Sequence, residues 1–437
     1  MLSVSGIICE KVVATQIERF FEENSLFGKF QFGFRKSKST VSELLTLFDI
    51  LMEAKENNKE IALVLYDLSA AFDTIDPAIL IEKLKLYGFS ECAMNWIKSF
   101  LTERKQAVTV ENKTSSFMNV EIGAPQGSRL SPLLFVIMMA DLGLFIKKSC
   151  ITNFADDMQT AVIAETQEEM KNIVHSEANQ VIKFFSGVDL VNNADKAALL
   201  HNSGGKGDNL TLQDIGGHDL ISKDKEKLLG LTISSNLDWQ AHTDKLCSTL
   251  KQRLGLLRRI KNKIPRNKLQ IVAEAIFTSK IRYGLAVYGQ PRLSKQESIS
   301  GRMQQIQKVQ NDMHRLINGY KRSDRINLER LRKKNKMFSV NQLTVYHVAL
   351  ETHNVLINNS SEQLRERMLL KTNERYTLRS EERRDLQVPI KPRQNCTRFS
   401  YTGAKVWNSL PTEMRKDGIK AAKFKKLLKG WIWDTIP

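Results

Sequence analysis

Residues 61–68 read IALVLYDL, a near-continuous apolar run that follows the polar stretch KENNKE and meets a carboxylate at Asp67. A run so short and so apolar reads as a strand buried on both faces, which commits the surrounding chain to covering it. With 437 residues, 42% of them hydrophobic, the chain has the material for a sizeable core spread over two to four lobes. No stretch of 18 or more apolar residues occurs, so no membrane-spanning helix is expected. The opening MLSVSGIICEKVV has neither a basic n-region nor a small-residue cleavage pattern, which argues against secretion. Cys9, Cys92, Cys150, Cys247 and Cys396 are scattered without CxxC spacing. They read as reduced thiols of an intracellular protein, not as a zinc site or a disulfide framework.

Charge divides the chain. Residues 1–240 hold 24 Lys and Arg against 32 Asp and Glu, a net −8, whereas residues 241–437 hold 42 against 16, a net +26. An acidic half beside a strongly basic one suggests chemistry in the first and a grip on a polyanion, most simply nucleic acid, in the second.

Helical spacing of apolar residues predicts helices over 7–23 and 40–56, separated by the basic loop QFGFRKSKST (31–40), whose Ser39 and Thr40 can cap the second. A helix from Pro77 to Leu86 stopping near Gly88, another over 91–103 and a hairpin over 106–122 follow. GAPQGSRLSPLLF (123–135) is a Gly/Pro-rich loop feeding an apolar helix over 132–146, and two short strands meet near the Asp pair of NFADD (153–157). Beyond a helix at 165–186 and a strand-turn unit at 227–239 come basic amphipathic helices over 242–262, 266–281 and 302–318. The tail is less regular, with RYTLRSEERRDLQVPIKPRQ, the apolar island KVWNSLP and a short basic helix in FKKLLKGWIW.

Taken singly, each acidic motif has an ordinary explanation. Asp156 and Asp157 could form a solvated turn, and Asp67 could cap the turn after its strand. Taken together they suggest more. Asp67 and Asp156 at the ends of neighbouring strands, with Asp157 adjacent, would repel unless cations lie between them. Two Mg²⁺ ions roughly 3.5–4 Å apart need such a carboxylate set and leave positions open for phosphates.

The order of YDLSAAFDTID, GAPQGSRLSPLLF and NFADD resembles the three palm motifs of reverse transcriptases. QFGFRKSKST, LLGLTISSNLDWQAH, KIRYGLAVYG and FSYTGAKVWNSLP further resemble segments of non-LTR (LINE-type, jockey-like) retrotransposon polymerases, so the resemblance runs along essentially the whole chain. It implies an α+β right-hand polymerase: partial fingers at 1–60, an antiparallel-sheet palm at 61–240 with a fingers-like insertion at about 80–122, a helical thumb at 241–320 and a basic C-terminal region at 321–437. It implies RNA-directed DNA polymerase activity with an RNA template, a DNA primer, dNTPs and two Mg²⁺ ions, no membrane partner, and residence in the nucleus and cytoplasm. Asp67 and Asp156 would be metal ligands, with Asp157 a supporting carboxylate. Phe72 would be a steric gate against ribose, Gln126 a neighbour of the incoming nucleotide, and Lys196 a proton donor to pyrophosphate. Arg35, Lys36, Lys38, Arg258 and Arg259 would contact nucleic acid.

Relatives carry an Arg-Pro-Ile-Ser stretch just upstream of LSVSGIICEKVV, and the small hydroxyl residue usual after the lysine is Ala197 here. The expectation is therefore an N-terminally truncated element. Its alternatives are an inactive remnant that binds RNA or RNA/DNA hybrid through its basic half, or a domesticated protein using that half as an interaction module.

Overall fold

The computed structural model describes residues 4–193, 196–203, 210–215, 218–371, 383–390, 398–416 and 418–437. Cys396 and much of RYTLRSEERRDLQVPIKPRQ lie outside the described residues. The fold is mixed helix and sheet, in two compact units. The first takes in residues 1–38 and 59–223, the second 39–58 and 224–437.

The chain opens with helices α1 (Val4–Glu23) and α2 (Thr40–Glu56). Ser39 starts α2 with a reciprocal cap: its hydroxyl accepts the Ser42 N–H, and the Ser42 hydroxyl accepts the Ser39 N–H.

In the first unit, strand β1 (Glu60–Tyr66) lies inside a four-stranded antiparallel sheet. Its neighbours are β3 (Asp157–Ala164) and β4 (Ala198–Asn202), and β2 (Cys150–Phe154) pairs on the far side of β3, giving the order β4-β1-β3-β2. The apolar run is thus paired on both sides, and every residue from Ile61 to Tyr66 is buried. Helices α3 (Pro77–Leu86), α4 (Glu91–Leu101), α5 (Leu130–Met138) and α6 (Gln167–Gly187) complete the unit. Asp76 accepts the Ala78 N–H ahead of Pro77, and Ser90 accepts the Ala93 N–H, so both starts follow from N-cap chemistry. Met170, Val174, Ala178 and Val181 of α6 repeat at helical spacing and face the core.

The hairpin expected at 106–122 is present, pairing Arg104–Gln106 with Met118–Val120. The helix expected over 132–146 is shorter. α5 ends at Met138, and in the turn that follows Gly143 lies against the Phe30 ring, where a Cβ would come within 2.6 Å of a ring carbon.

The second unit is built on α7 (Gln240–Ile260), α8 (Arg266–Ala273), α9 (Gly301–Ile317), α10 (Leu328–Asn335), α11 (Val340–Asn358), α12 (Phe399–Ser409) and α13 (Ala421–Thr435). The helix expected over 266–281 contains a π turn at Glu274–Thr278, and the Arg253 guanidinium bonds to the Ile276 carbonyl there. Residues 340–358 gave no helical signal, because α11 is buried on most of its faces and shows no stripe. α12 crosses it at Gly403, where a Cβ would sit 2.8 Å from Thr352 Oγ1. α2 is fastened to this C-terminal region: Asp49 accepts the Ser400 N–H at 2.7 Å, and Glu53 binds Arg367 at 2.6 Å and Arg398 at 3.0 Å.

Two histidines in this unit, His242 and His314, are buried beside cations, and His347 is half-buried beside one. Burial with Lys245 nearby pushes His242 down to about 4, and burial with Arg282 nearby does the same to His347. Burial with Arg332 nearby pushes His314 to about 3. His242 Nδ1 accepts the Thr232 N–H at 3.3 Å, which requires the neutral ring. A folded-state value below the unfolded one gives stability that is complete above the unfolded value and lost as pH falls towards the folded one. The second unit should therefore weaken between pH 6.5 and about 4, by roughly 2 kcal/mol per histidine at pH 5. Melting curves from pH 7.5 to 4.5 should show this fall, and His242→Asn should shift the curve and flatten its acid limb. An unchanged midpoint down to pH 5 would contradict it.

Candidate active site

Sheet register brings the acidic motifs to one end of β1 and β3. Tyr66 pairs with Met158, so one step further along the ladder sets Asp67 level with Asp157 and next to Asp156. The β2–β3 hairpin closes on the Phe154–Asp157 pair, leaving Ala155 and Asp156 as its two turn residues. Ala155 has φ +61°, a value that glycine favours at the first position of such turns. Asp156 is half-buried and Asp157, at the start of β3, is exposed.

Asp67 lies past the last fully ordered pair of β1, which fixes its backbone while leaving the carboxylate accessible. Its carbonyl accepts the Asn193 N–H at 2.8 Å, and the short Leu68–Ser69 and Val191–Asn192 strands pair directly after it. That pairing carries Lys196 to Asp67, with Nζ 3.1 Å from Oδ2. Both groups are well exposed, so the ion pair contributes little to stability, about 1 kcal/mol at most. Its significance is positional: a cation already sits on this carboxylate.

The Gly/Pro-rich loop lies along the segment after Asp67. The Ala124 N–H donates to the Phe72 carbonyl at 2.9 Å and the Gly123 N–H to the Ile75 carbonyl at 2.8 Å. Gly123, at φ +81°, approaches Asp73 so closely that a Cβ would lie 2.8 Å from its carbonyl oxygen. Gln126 Nε2 donates to Asp73 Oδ1 at 3.2 Å. Between loop and segment opens a cavity of about 360 Å³ lined by Phe72, Gln126 and Asp156 among others. Phe72 packs on Phe135 with ring centroids 5.1 Å apart and meets Phe34 edge-on at 6.2 Å. Asp67, Asp156, Phe72, Gln126 and Lys196 thus gather at one end of one sheet.

The basic loop is organised differently from the expectation. Arg35 is turned inward: its guanidinium binds both oxygens of Glu22 at 2.7 and 2.9 Å, donates to the Gly28 and Gln31 carbonyls, and covers the Phe27 ring. It holds the loop together and does not face solvent. Glu22 lies on the preceding helix, and nothing in the loop's own sequence marks it as the partner. Lys36 is exposed, and Lys38 reaches over the Phe32 ring. Arg258 and Arg259 are exposed in the last turn of α7, in the second unit, where the helix dipole favours positive charge.

Some contributors were missed. Glu10 is buried on the apolar face of α1, accepting from Ser128 Oγ at 2.6 Å and from the Arg129 N–H at 3.0 Å. Ser128 Oγ in turn accepts the Leu130 and Ser131 N–H groups at the start of α5. A glutamate in register with Ala14, Ile17 and Phe21 on a core-facing stripe was the available signal.

Among the described residues, no three His, Cys, Asp or Glu side chains converge closely enough to enclose a metal ion by themselves. Two hard carboxylates at one end of the sheet, of which Asp156 lines the cavity, suit a cation that draws its remaining oxygens from a phosphate-bearing ligand.

A profile of the reverse transcriptase (RNA-dependent DNA polymerase) family matches residues 1–233, more than half of the chain, and the chain belongs to that family. Over 304 residues it is 26% identical to the RNA-directed DNA polymerase from mobile element jockey of Drosophila funebris, an alignment covering 66% of this chain and 32% of that protein. A probable RNA-directed DNA polymerase from transposon BS of Drosophila melanogaster is 30% identical over 165 residues, covering 36% and 18%. The chain thus spans about a third or less of the length of these relatives. Among solved structures, telomerase from Candida albicans in complex with a TWJ fragment of telomeric RNA aligns with a TM-score of 0.39 at 11% identity, covering 77% of this chain and 55% of the other. The jockey-like resemblance read from the motifs agrees with the family match and with these relatives.

Proposed function

We propose that this chain is an RNA-directed DNA polymerase of the jockey-like type, joining a dNTP to a primer 3′-hydroxyl on an RNA template. The observation that carries the reading is the register that sets Asp67 beside the Asp156 turn at the mouth of the cavity holding Phe72 and Gln126. In this reading the four-stranded sheet is the palm. The partial fingers narrow to residues 1–38, because α2 is built into the second unit, and the basic helices from α7 onward serve as thumb and C-terminal region.

Asp67 and Asp156 would hold two Mg²⁺ ions, with Asp157 in support; their oxygen donors fit that hard cation, and the ion pair of the Lys196 ammonium with Asp67 supports a reading in which this carboxylate takes positive charge. When bound, the ions would lower the pKa of the primer hydroxyl and neutralise charge on the triphosphate. Phe72, held between Phe34 and Phe135, would lie under the sugar and exclude a 2′-hydroxyl. Gln126, oriented by Asp73, would face the incoming nucleotide. Lys196 would give its proton to the departing pyrophosphate.

Primer extension on an RNA template with Mg²⁺ and dNTPs tests the reading, the expected product being alkali-stable DNA. Absence of product, together with salt-sensitive binding of an RNA/DNA hybrid, would replace it with the remnant that only binds. For the gate, Phe72→Ala should raise ribonucleotide use at least tenfold relative to dNTP use in competition assays. Unchanged discrimination would remove Phe72 from that role.

A further inference from the structure

The loop Phe30–Phe34 runs along the free edge of β2. Asn153 donates its N–H to the Phe30 carbonyl at 2.9 Å, and its own carbonyl accepts the Phe32 N–H at 2.8 Å. The loop therefore extends the sheet by one short parallel bridge at Gln31 and Asn153. From there the Gln31 side chain reaches the turn of the hairpin. Its Oε1 accepts the Ala155 N–H at 3.3 Å and the Gly33 N–H at 2.8 Å, and the residue is 1% exposed. Gly33 lies so close that a Cβ there would be 2.3 Å from the Ala155 nitrogen.

Ala155 needs such support. Its positive φ, in a residue with a Cβ, costs of order 1 kcal/mol or more and persists only where the surroundings fix it. Asp156, the cavity-lining carboxylate, follows directly. Any relaxation at Ala155 re-aims Asp156.

We propose that Gln31 is a positioning residue that clamps the hairpin turn through Ala155 and so holds Asp156 in a metal-competent orientation. The inference rests on the reading of Asp156 as a metal ligand, and extends it to a residue with no chemistry of its own. The useful atom is Oε1: Nε2 is buried without a hydrogen-bond partner, so what the side chain contributes is an acceptor. Methionine keeps the length and removes the acceptor. Glutamate keeps both.

The test uses the full chain without nucleic acid. Mn²⁺ binding is read by electron paramagnetic resonance, and hydrogen–deuterium exchange is read in peptides covering 150–160. Gln31→Met should weaken Mn²⁺ binding about tenfold and speed exchange of the turn amide at least tenfold, while the melting midpoint stays within a few degrees of the unmodified chain. Gln31→Glu should recover both signals. Asp156→Ala should lose Mn²⁺ binding without speeding exchange. A Gln31→Met chain that matches the unmodified one in both signals would overturn the clamp, as would a folded Gln31→Glu chain no better than Gln31→Met. If the unmodified chain binds no Mn²⁺, the metal-site reading falls and the clamp's purpose falls with it, an outcome distinct from a metal-binding chain indifferent to Gln31.

Discussion

Asp67→Asn should lower single-nucleotide incorporation by roughly 10³-fold or more while leaving the fold intact. The amide is isosteric, and Asp67 sits at a strand end with its side chain in solvent contact, so its loss removes little packing. What it removes is negative charge where metal ions would neutralise a triphosphate, a contribution worth several kcal/mol of transition-state stabilisation. The Asn193 N–H bond is to the Asp67 carbonyl and survives the change. Rapid-quench incorporation, with hybrid affinity measured alongside, separates chemistry from binding. A large fall in rate at unchanged affinity is expected; a fall confined to affinity would assign Asp67 to substrate binding instead.

Gly33→Ala should be nearly as damaging, although it touches no carboxylate. The added Cβ would lie 2.3 Å from the Ala155 nitrogen and 3.0 Å from its Cα, both backbone atoms that cannot swing aside. Restoring van der Waals distance needs a displacement of about 1 Å at the turn that aims Asp156, enough to cost about 10²-fold in rate. Overpacking of this kind also destabilises by about 1–3 kcal/mol. Gly187→Ala is the control, because nothing lies within 4 Å of a Cβ there. Incorporation and melting should both suffer in Gly33→Ala and neither in Gly187→Ala. A Gly33→Ala rate within twofold of the unmodified chain would show that the contact does not constrain the hairpin.

The elements legible in the sequence are those whose signals are local. IALVLYDL announces its burial by composition, α2 and α3 announce their starts by Ser39 and Pro77, and α6 shows a clean stripe. The acidic pair was legible as a hairpin bend because two short apolar runs flank it. What was not legible acts at long range. Gln31 works on a residue 124 positions away, and QFGFRKSKST displayed its basic residues more plainly than its one buried amide. Arg35 looked like a solvent-facing cation because its partner, Glu22, lies outside the loop, on the preceding helix. Glu10 was visible as an acid on an apolar stripe, but only the placement of Ser128 explains why it is there. α11 escaped for the opposite reason, since a helix buried on most faces carries no period to read.

Asp67 and the Asp156 turn are proposed to form one metal-dependent nucleotidyl-transfer site. Its most direct test is Mg²⁺-dependent incorporation of a single dNTP on an RNA template by the full chain, compared with Asp156→Ala at equal hybrid occupancy. The expected result is incorporation that vanishes with EDTA and falls to background in Asp156→Ala. Incorporation that survives the substitution would contradict it.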